Sequence, residues 1–125
     1  MKPVAIFGCG TAGQRACLYL KGKYRIVAFL DNNRRTHGAR VLGVPVRDPE
    51  EFDYTQVEHV FIGSMYFDEI LAQLLSLEVP SSKIEYLGNE ILMRDFALAP
   101  HHQLDAFAPF NAMRRAFYVP FRLLR

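Results

Sequence analysis

The feature that most constrains this chain is a short apolar run that breaks into glycines. Val4-Ala5-Ile6-Phe7 has no polar alternation, which is how a strand covered on both faces of a parallel sheet reads. It runs directly into Gly8-Cys9-Gly10-Thr11-Ala12-Gly13, a G-x-G-x-x-G spacing. Each glycine has a physical task if a phosphate is to sit there. Gly8 permits the turn off the strand, Gly10 lets the backbone approach a pyrophosphate, and Gly13 lets the following helix pack close to the sheet. A helix starting near Thr11 turns its unpaired N–H groups and positive dipole end toward the anion.

A second strand, Ile26-Val27-Ala28-Phe29-Leu30, ends at Asp31. A carboxylate there can accept hydrogen bonds from both hydroxyls of a ribose, and it repels a 2′-phosphate, which favours NAD over NADP. The plainer reading stands beside this one: glycines after a strand serve a tight turn, and an aspartate after a strand caps the next. Asn32, Asn33, Arg34, Arg35, Thr36, His37 and Gly38 then read as a polar loop.

With 125 residues, half of them hydrophobic, and a net charge of +2, the chain reads as one globular domain with no charge signal for nucleic acid. Met1-Lys2-Pro3 leaves no room for a signal peptide, and no apolar run spans a bilayer, so a cytoplasmic location is expected. Cys9 and Cys17 lack metal or redox-pair spacing and read as free thiols. Cys9 at a helix start also admits a redox-sensing role. Tyr19 and Lys23 have the Tyr-x-x-x-Lys spacing of short-chain dehydrogenases, but at the wrong end of the first helix, so the match reads as coincidence. No catalytic residue and no metal ligand set emerges. His101 and His102 are adjacent and would point to opposite sides of a helix.

Further along, Val41-Leu42-Gly43-Val44-Pro45-Val46 suggests a glycine turn and a third strand, with Asp48 to Phe52 as a short helical turn. His59-Val60-Phe61-Ile62-Gly63 is a fourth strand ending at Ser64, which faces the switch point or caps the next helix. Ile70, Leu71, Leu74, Leu75 and Leu77 form a helical core face, and Lys83 to Leu87 makes a fifth strand.

Residues Val4 to about Leu87 resemble the nucleotide-binding domain of bacterial polysaccharide-biosynthesis proteins. Such domains precede the membrane-bound nucleotide-sugar dehydratases and epimerases of capsule and O-antigen pathways, and a relative precedes UDP-amino-sugar acetyltransferases. The resemblance rests on Ile6 to Gly13, on Ile26 to Asn33, and on Gly38 with Gly43-Val44-Pro45-Val46. It implies an α/β, Rossmann-like three-layer sandwich: a five-stranded parallel sheet in the order 3-2-1-4-5, with a C-terminal helical extension. Residues 1–87 would be the binding domain and 88–125 the extension, packed on that domain or on a second subunit.

The expected cofactor site comprises Gly8, Cys9, Gly10, Thr11, Ala12, Gly13, Asp31, Asn32 and Ser64, with NAD or a UDP-sugar as ligand. Three functions stay open: a nucleotide-binding module of surface-polysaccharide or nucleotide-sugar metabolism, an NAD-dependent nucleotide-sugar oxidoreductase or epimerase completed by another domain or subunit, and an assembly module with a vestigial site. Leu104, Phe107, Phe110, Met113, Phe117, Phe121 and Leu124 recur at helical intervals, an apolar stripe that could cover the sheet or join two copies in a homodimer.

Overall fold

A computed structural model describes residues 1–94. Its elements in chain order are β1 (Pro3–Phe7), α1 (Thr11–Leu20), β2 (Arg25–Leu30), β3 (Arg40–Val41), β4 (Val44–Arg47), β5 (His59–Ile62), α2 (Phe67–Ser76), β6 (Ile84–Tyr86) and α3 (Asn89–Leu92). Short 3-10 turns occupy Arg34–Thr36, Tyr54–Gln56 and Ser81–Lys83.

Six strands form one sheet in the order β3-β4-β2-β1-β5-β6. β1 is central, paired in parallel with β2 on one side and β5 on the other. The expected sheet of five parallel strands is therefore corrected in count and in order. The glycine turn and third strand read in sequence are the second half of a hairpin, whose first half is the additional strand Arg40–Val41, antiparallel to Val44–Arg47. Its two-residue turn places Leu42 at φ 51° and Gly43 at φ 78°, the mirror-image turn that suits the twist of paired strands. Leucine is strained in that conformation, and the packing of its side chain on the core offsets the strain.

The apolar runs of β1, β2 and β5 are continuous because both faces of the sheet are covered. Val4 and Ile6 face one layer with Ala16, Cys17 and Leu20 of α1 and Ile91 and Leu92 of α3. Ala5 and Phe7 face the other with Ile70 and Leu74 of α2. All four β1 residues from Val4 to Phe7 are buried. Ile91 and Leu92 are buried as well, so the core continues past Leu87. The apolar stripe of residues 104–124 lies outside the described residues.

Two crossovers carry no α-helix. Between β2 and β4 there is only a 3-10 turn and the hairpin, and between β4 and β5 only turns. The helical turn expected at Asp48 to Phe52 is a hydrogen-bonded turn, with Phe52 N–H donating to the Asp48 carbonyl at 3.0 Å. A cleft of about 380 Å³ opens on the α1 face beside Leu18, Ile26, Leu42 and Val44. Another of about 370 Å³ opens on the α2 face beside Val27, Pro45, Arg47 and Phe52. Both lie on sheet faces, away from the glycine loop.

Candidate functional site

The glycine loop stands at the carboxyl end of β1, where the start of α1 and the end of β5 converge. Gly8 has φ 114°, a conformation closed to other residues without strain. A Cβ on Gly8 would stand 2.6 Å from the Gly63 carbonyl oxygen. One on Gly13 would stand 1.9 Å from the Gly8 carbonyl oxygen, and one on Gly63 would stand 2.9 Å from Gly13 Cα. Gly8, Gly13 and Gly63 thus let three backbone segments close on each other. The ladder extends into the loop, with Gly8 N–H donating to the Leu30 carbonyl at 2.7 Å and Gly63 N–H to the Phe7 carbonyl at 2.9 Å.

This packing sets the start of α1. Gly10 is its N-cap, no side chain caps it, and its first turn holds no acid. α2 also starts from the carboxyl end of the sheet, but Asp68 and Glu69 lie in its first turn. Acids there satisfy the dipole and oppose a phosphate, whereas α1 leaves its positive end to whatever anion approaches.

Asp31 lies where the sequence places it, just past β2, but it is 2% exposed. Its Oδ2 accepts from Cys9 N–H at 3.4 Å and from the Cys9 thiol at 3.3 Å, and its Oδ1 accepts from Asn33 N–H at 2.9 Å. His37 Nε2–H donates to the Asp31 carbonyl at 2.6 Å. In this structure the carboxylate ties the glycine loop to the loop after β2, the turn-forming role that an aspartate also has after a strand.

The remaining expected residues divide. Cys9, Gly10, Thr11, Ala12 and Gly13 are together on the loop and first turn of α1. Ser64 adjoins them: its Cβ lies 3.6 Å from where a Cβ on Gly8 would stand. Ser64 Oγ accepts from Tyr66 N–H at 3.1 Å, while the N-cap of α2 is Tyr66. Asn32 turns toward α2 and pairs with Gln73.

Four residues were not legible as parts of this region. Gly63 reads as the end of a strand, Gln73 as one polar position on an amphipathic helix, and His37 as a loop residue. Gln14 reads as pointing away from the core, yet it is 3% exposed and its amide donates to the Cys9 carbonyl at 3.2 Å. A polar residue adjoining a glycine loop is the one signal that could have found it. Tyr19 and Lys23 lie far from the loop, with the Lys23 ammonium 3.9 Å over the phenol ring. The hydrogen bond from Lys23 holds that phenol below its ordinary pKa.

Comparison with known proteins now bears on this geometry. A family model described as C2185-like, N-terminal, matches residues 1–85, more than half of the chain. The chain belongs to the C2185-like N-terminal family. That description names no pathway, so it carries the family and not the polysaccharide-biosynthesis role that the motifs resemble. No curated protein matches the C2185-like sequence.

Among solved structures, the C2185-like domain is similar to RSP, a Rex-family repressor, at TM-score 0.54 and 15% identity, covering 100% of this chain and 63% of that one. It is similar to RSP in complex with beta-NADH at TM-score 0.51 and 15% identity, covering 100% of this chain and 65% of that one. The domain therefore spans less than two thirds of those repressor chains. A UDP-D-quinovosamine 4-dehydrogenase from Vibrio fischeri aligns at TM-score 0.49 and 21% identity over 68% of this chain and 75% of that one, too loosely to bear weight. The Rex-family likeness establishes the Rossmann-like fold. RSP has also been solved with beta-NAD+ and operator DNA. Among the described residues no helix is long and apolar enough to cross a membrane.

Proposed function

We propose that the C2185-like domain binds a nucleotide, NAD or a nucleotide-sugar, with the pyrophosphate on the Gly8 to Gly13 loop. The observation that carries this reading is the start of α1: a close-packed glycine turn, no side-chain cap and no acid in the first turn. Those features together suit an anion with several oxygens. The NADH and NAD+ in the Rex-family structures of the same fold support a dinucleotide. Ser64 would border the ligand, and Asp31 would act first by fixing the loop. A role in surface-polysaccharide metabolism rests on the resemblance of the motifs alone. Residues 1–87 would form the binding unit, and the burial of Ile91 and Leu92 against α1 supports an extension that begins by docking on its own domain.

One observation favours a second reading, an assembly module with a vestigial site. Asp31 is buried, so a ribose could reach its carboxylate only if the loop moved.

Thermal unfolding of the full chain against NAD+, NADH and UDP-N-acetylglucosamine separates the two. A ligand at about a hundred times its dissociation constant adds roughly 2.7 kcal/mol of stability. A rise with any one of them supports binding and identifies the ligand class. No rise with all three moves the conclusion to the assembly module.

A further inference from the structure

We infer that the C-terminal segment of this chain, residues 107–124, docks in the cleft over β2 and β4 on the α2 face, with its apolar stripe on the cleft floor and its arginines against an acidic rim. No nucleotide is needed for this contact, so it stands apart from the binding reading.

A parallel sheet is stable when both of its faces are covered. On the α2 face the crossover from β4 to β5 carries only turns, so the layer beside α2 lacks the helix that such a crossover ordinarily supplies. In its place lies the cleft of about 370 Å³, along which Val27, Pro45 and Phe52 are only half-buried. Asp48, Glu51 and Asp53 also line it, with one cation, Arg47. Among the described residues none of these three carboxylates forms an ion pair. Hydrogen bonds from Thr55 hold Asp53 below the ordinary carboxylate pKa.

The chain itself carries a segment of complementary chemistry. From Ala106 to Arg125 it has no Asp or Glu, while Arg114, Arg115, Arg122 and Arg125 accompany the apolar stripe. Pro109 and Pro120 bracket a stretch as long as α2. Within it Phe110, Met113 and Phe117 recur at intervals of three and four, and Arg114 follows Phe110 by four, which is the spacing of one helical face. The cleft on the α1 face is lined by Lys21 and Arg25, which would repel these arginines. Reach is sufficient. The Arg94 guanidinium lies 5.9 Å from the Tyr19 ring near the end of α1, at the edge of the sheet where the strands begin and either face is accessible. Residues 95–106 can extend to about 40 Å, whereas a packed layer is about 10 Å deep and three inter-strand steps cover about 14 Å.

Limited trypsin digestion of the full chain, followed by mass spectrometry, tests the contact. Cleavage after Arg114 and Arg115 should be at least about tenfold slower than in a synthetic peptide of residues 106–125, and the protection should not change on dilution. The double variant Glu51→Gln, Asp53→Asn adds no trypsin site and should speed that cleavage about fivefold, as the loss of two exposed ion pairs would. Lys21→Gln with Arg25→Gln, on the other cleft, should leave it unchanged or slower. Circular dichroism melting verifies that both double variants are folded at the temperature of digestion. Equal cleavage of chain and peptide overturns the inference. Protection that survives loss of the two carboxylates, or that is lost only in the Lys21 and Arg25 variant, also overturns it by placing the segment elsewhere. Protection that disappears on dilution assigns the cleft to the segment of a second copy and overturns docking within one chain.

Discussion

Asp31 Oδ2 lies 3.3 Å from the Cys9 thiol and 3.4 Å from the Cys9 N–H, so a carboxylate at the end of β2 holds the glycine loop that follows β1. The contact joins two features that read separately in the sequence, a phosphate-type loop and an acid after a strand. It makes the shape of the loop depend on a residue 22 positions away. Gln14 braces the same loop from α1 through the Cys9 carbonyl. The loop at the start of α1 is thus held from two sides.

Removal of that carboxylate should be costly. Asp31→Ala strands the N–H groups of Cys9 and Asn33, and stability should fall by about 2 to 4 kcal/mol. Urea denaturation with an unchanged m-value would measure it. A loss under about 0.5 kcal/mol would mean that the carboxylate does not hold the loop.

Gly13→Ala should be worse tolerated than Gly22→Ala. A Cβ on Gly13 would fall 1.9 Å from a backbone oxygen, whereas nothing lies within 4 Å of one on Gly22. The first should cost at least about 3 kcal/mol, and the second should be neutral or stabilising by roughly 0.5 kcal/mol. Comparable melting temperatures for the two variants would contradict the close packing of loop and helix.

α2 ends in a left-handed cap built on the wrong residue type. Glu78 has φ 64°, its N–H donates to the Leu75 carbonyl at 3.0 Å, and Val79 N–H donates to the Leu74 carbonyl at 3.1 Å. Glycine is preferred at that position. Glu78→Gly should therefore raise stability by about 0.5 to 1 kcal/mol, read from the denaturation midpoint. A decrease would show that the glutamate side chain contributes more than its backbone strain.

Burial of Cys17 in the core under α1 raises its thiol pKa from 9.0 to about 11. Because the folded value lies above the unfolded one, the contribution is complete below pH 9 and is lost as pH rises toward 11. Stability should decline over that interval by roughly 2 kcal/mol, and Cys17→Ala should flatten the decline. An alkaline limb of equal slope in the variant would place the effect elsewhere.

What was legible in sequence depended on range. β1, its glycines and β2 could be read because a doubly covered strand leaves an uninterrupted apolar run and the turn leaves a fixed spacing. The glycine turn at Gly43 was legible, but β3 before it was not, since a two-residue strand shows no alternation. The place of Asp31 was legible from its strand. Its burial was not, because that depends on Cys9 and Asn33 folding around it. Gly63 and Gln73 act through partners tens of residues away, and local pattern carries no such information.

The most direct measurement of the central claim is the affinity of the full chain for NADH, by fluorescence titration, before and after Thr11→Asp. An acid in the first turn of α1 favours the helix and opposes a phosphate at its start. The account predicts a saturable signal in the unsubstituted protein that falls at least about tenfold in a variant that melts no lower. Undiminished binding by the Thr11→Asp protein would contradict it, because the nucleotide would then be held somewhere other than the start of α1.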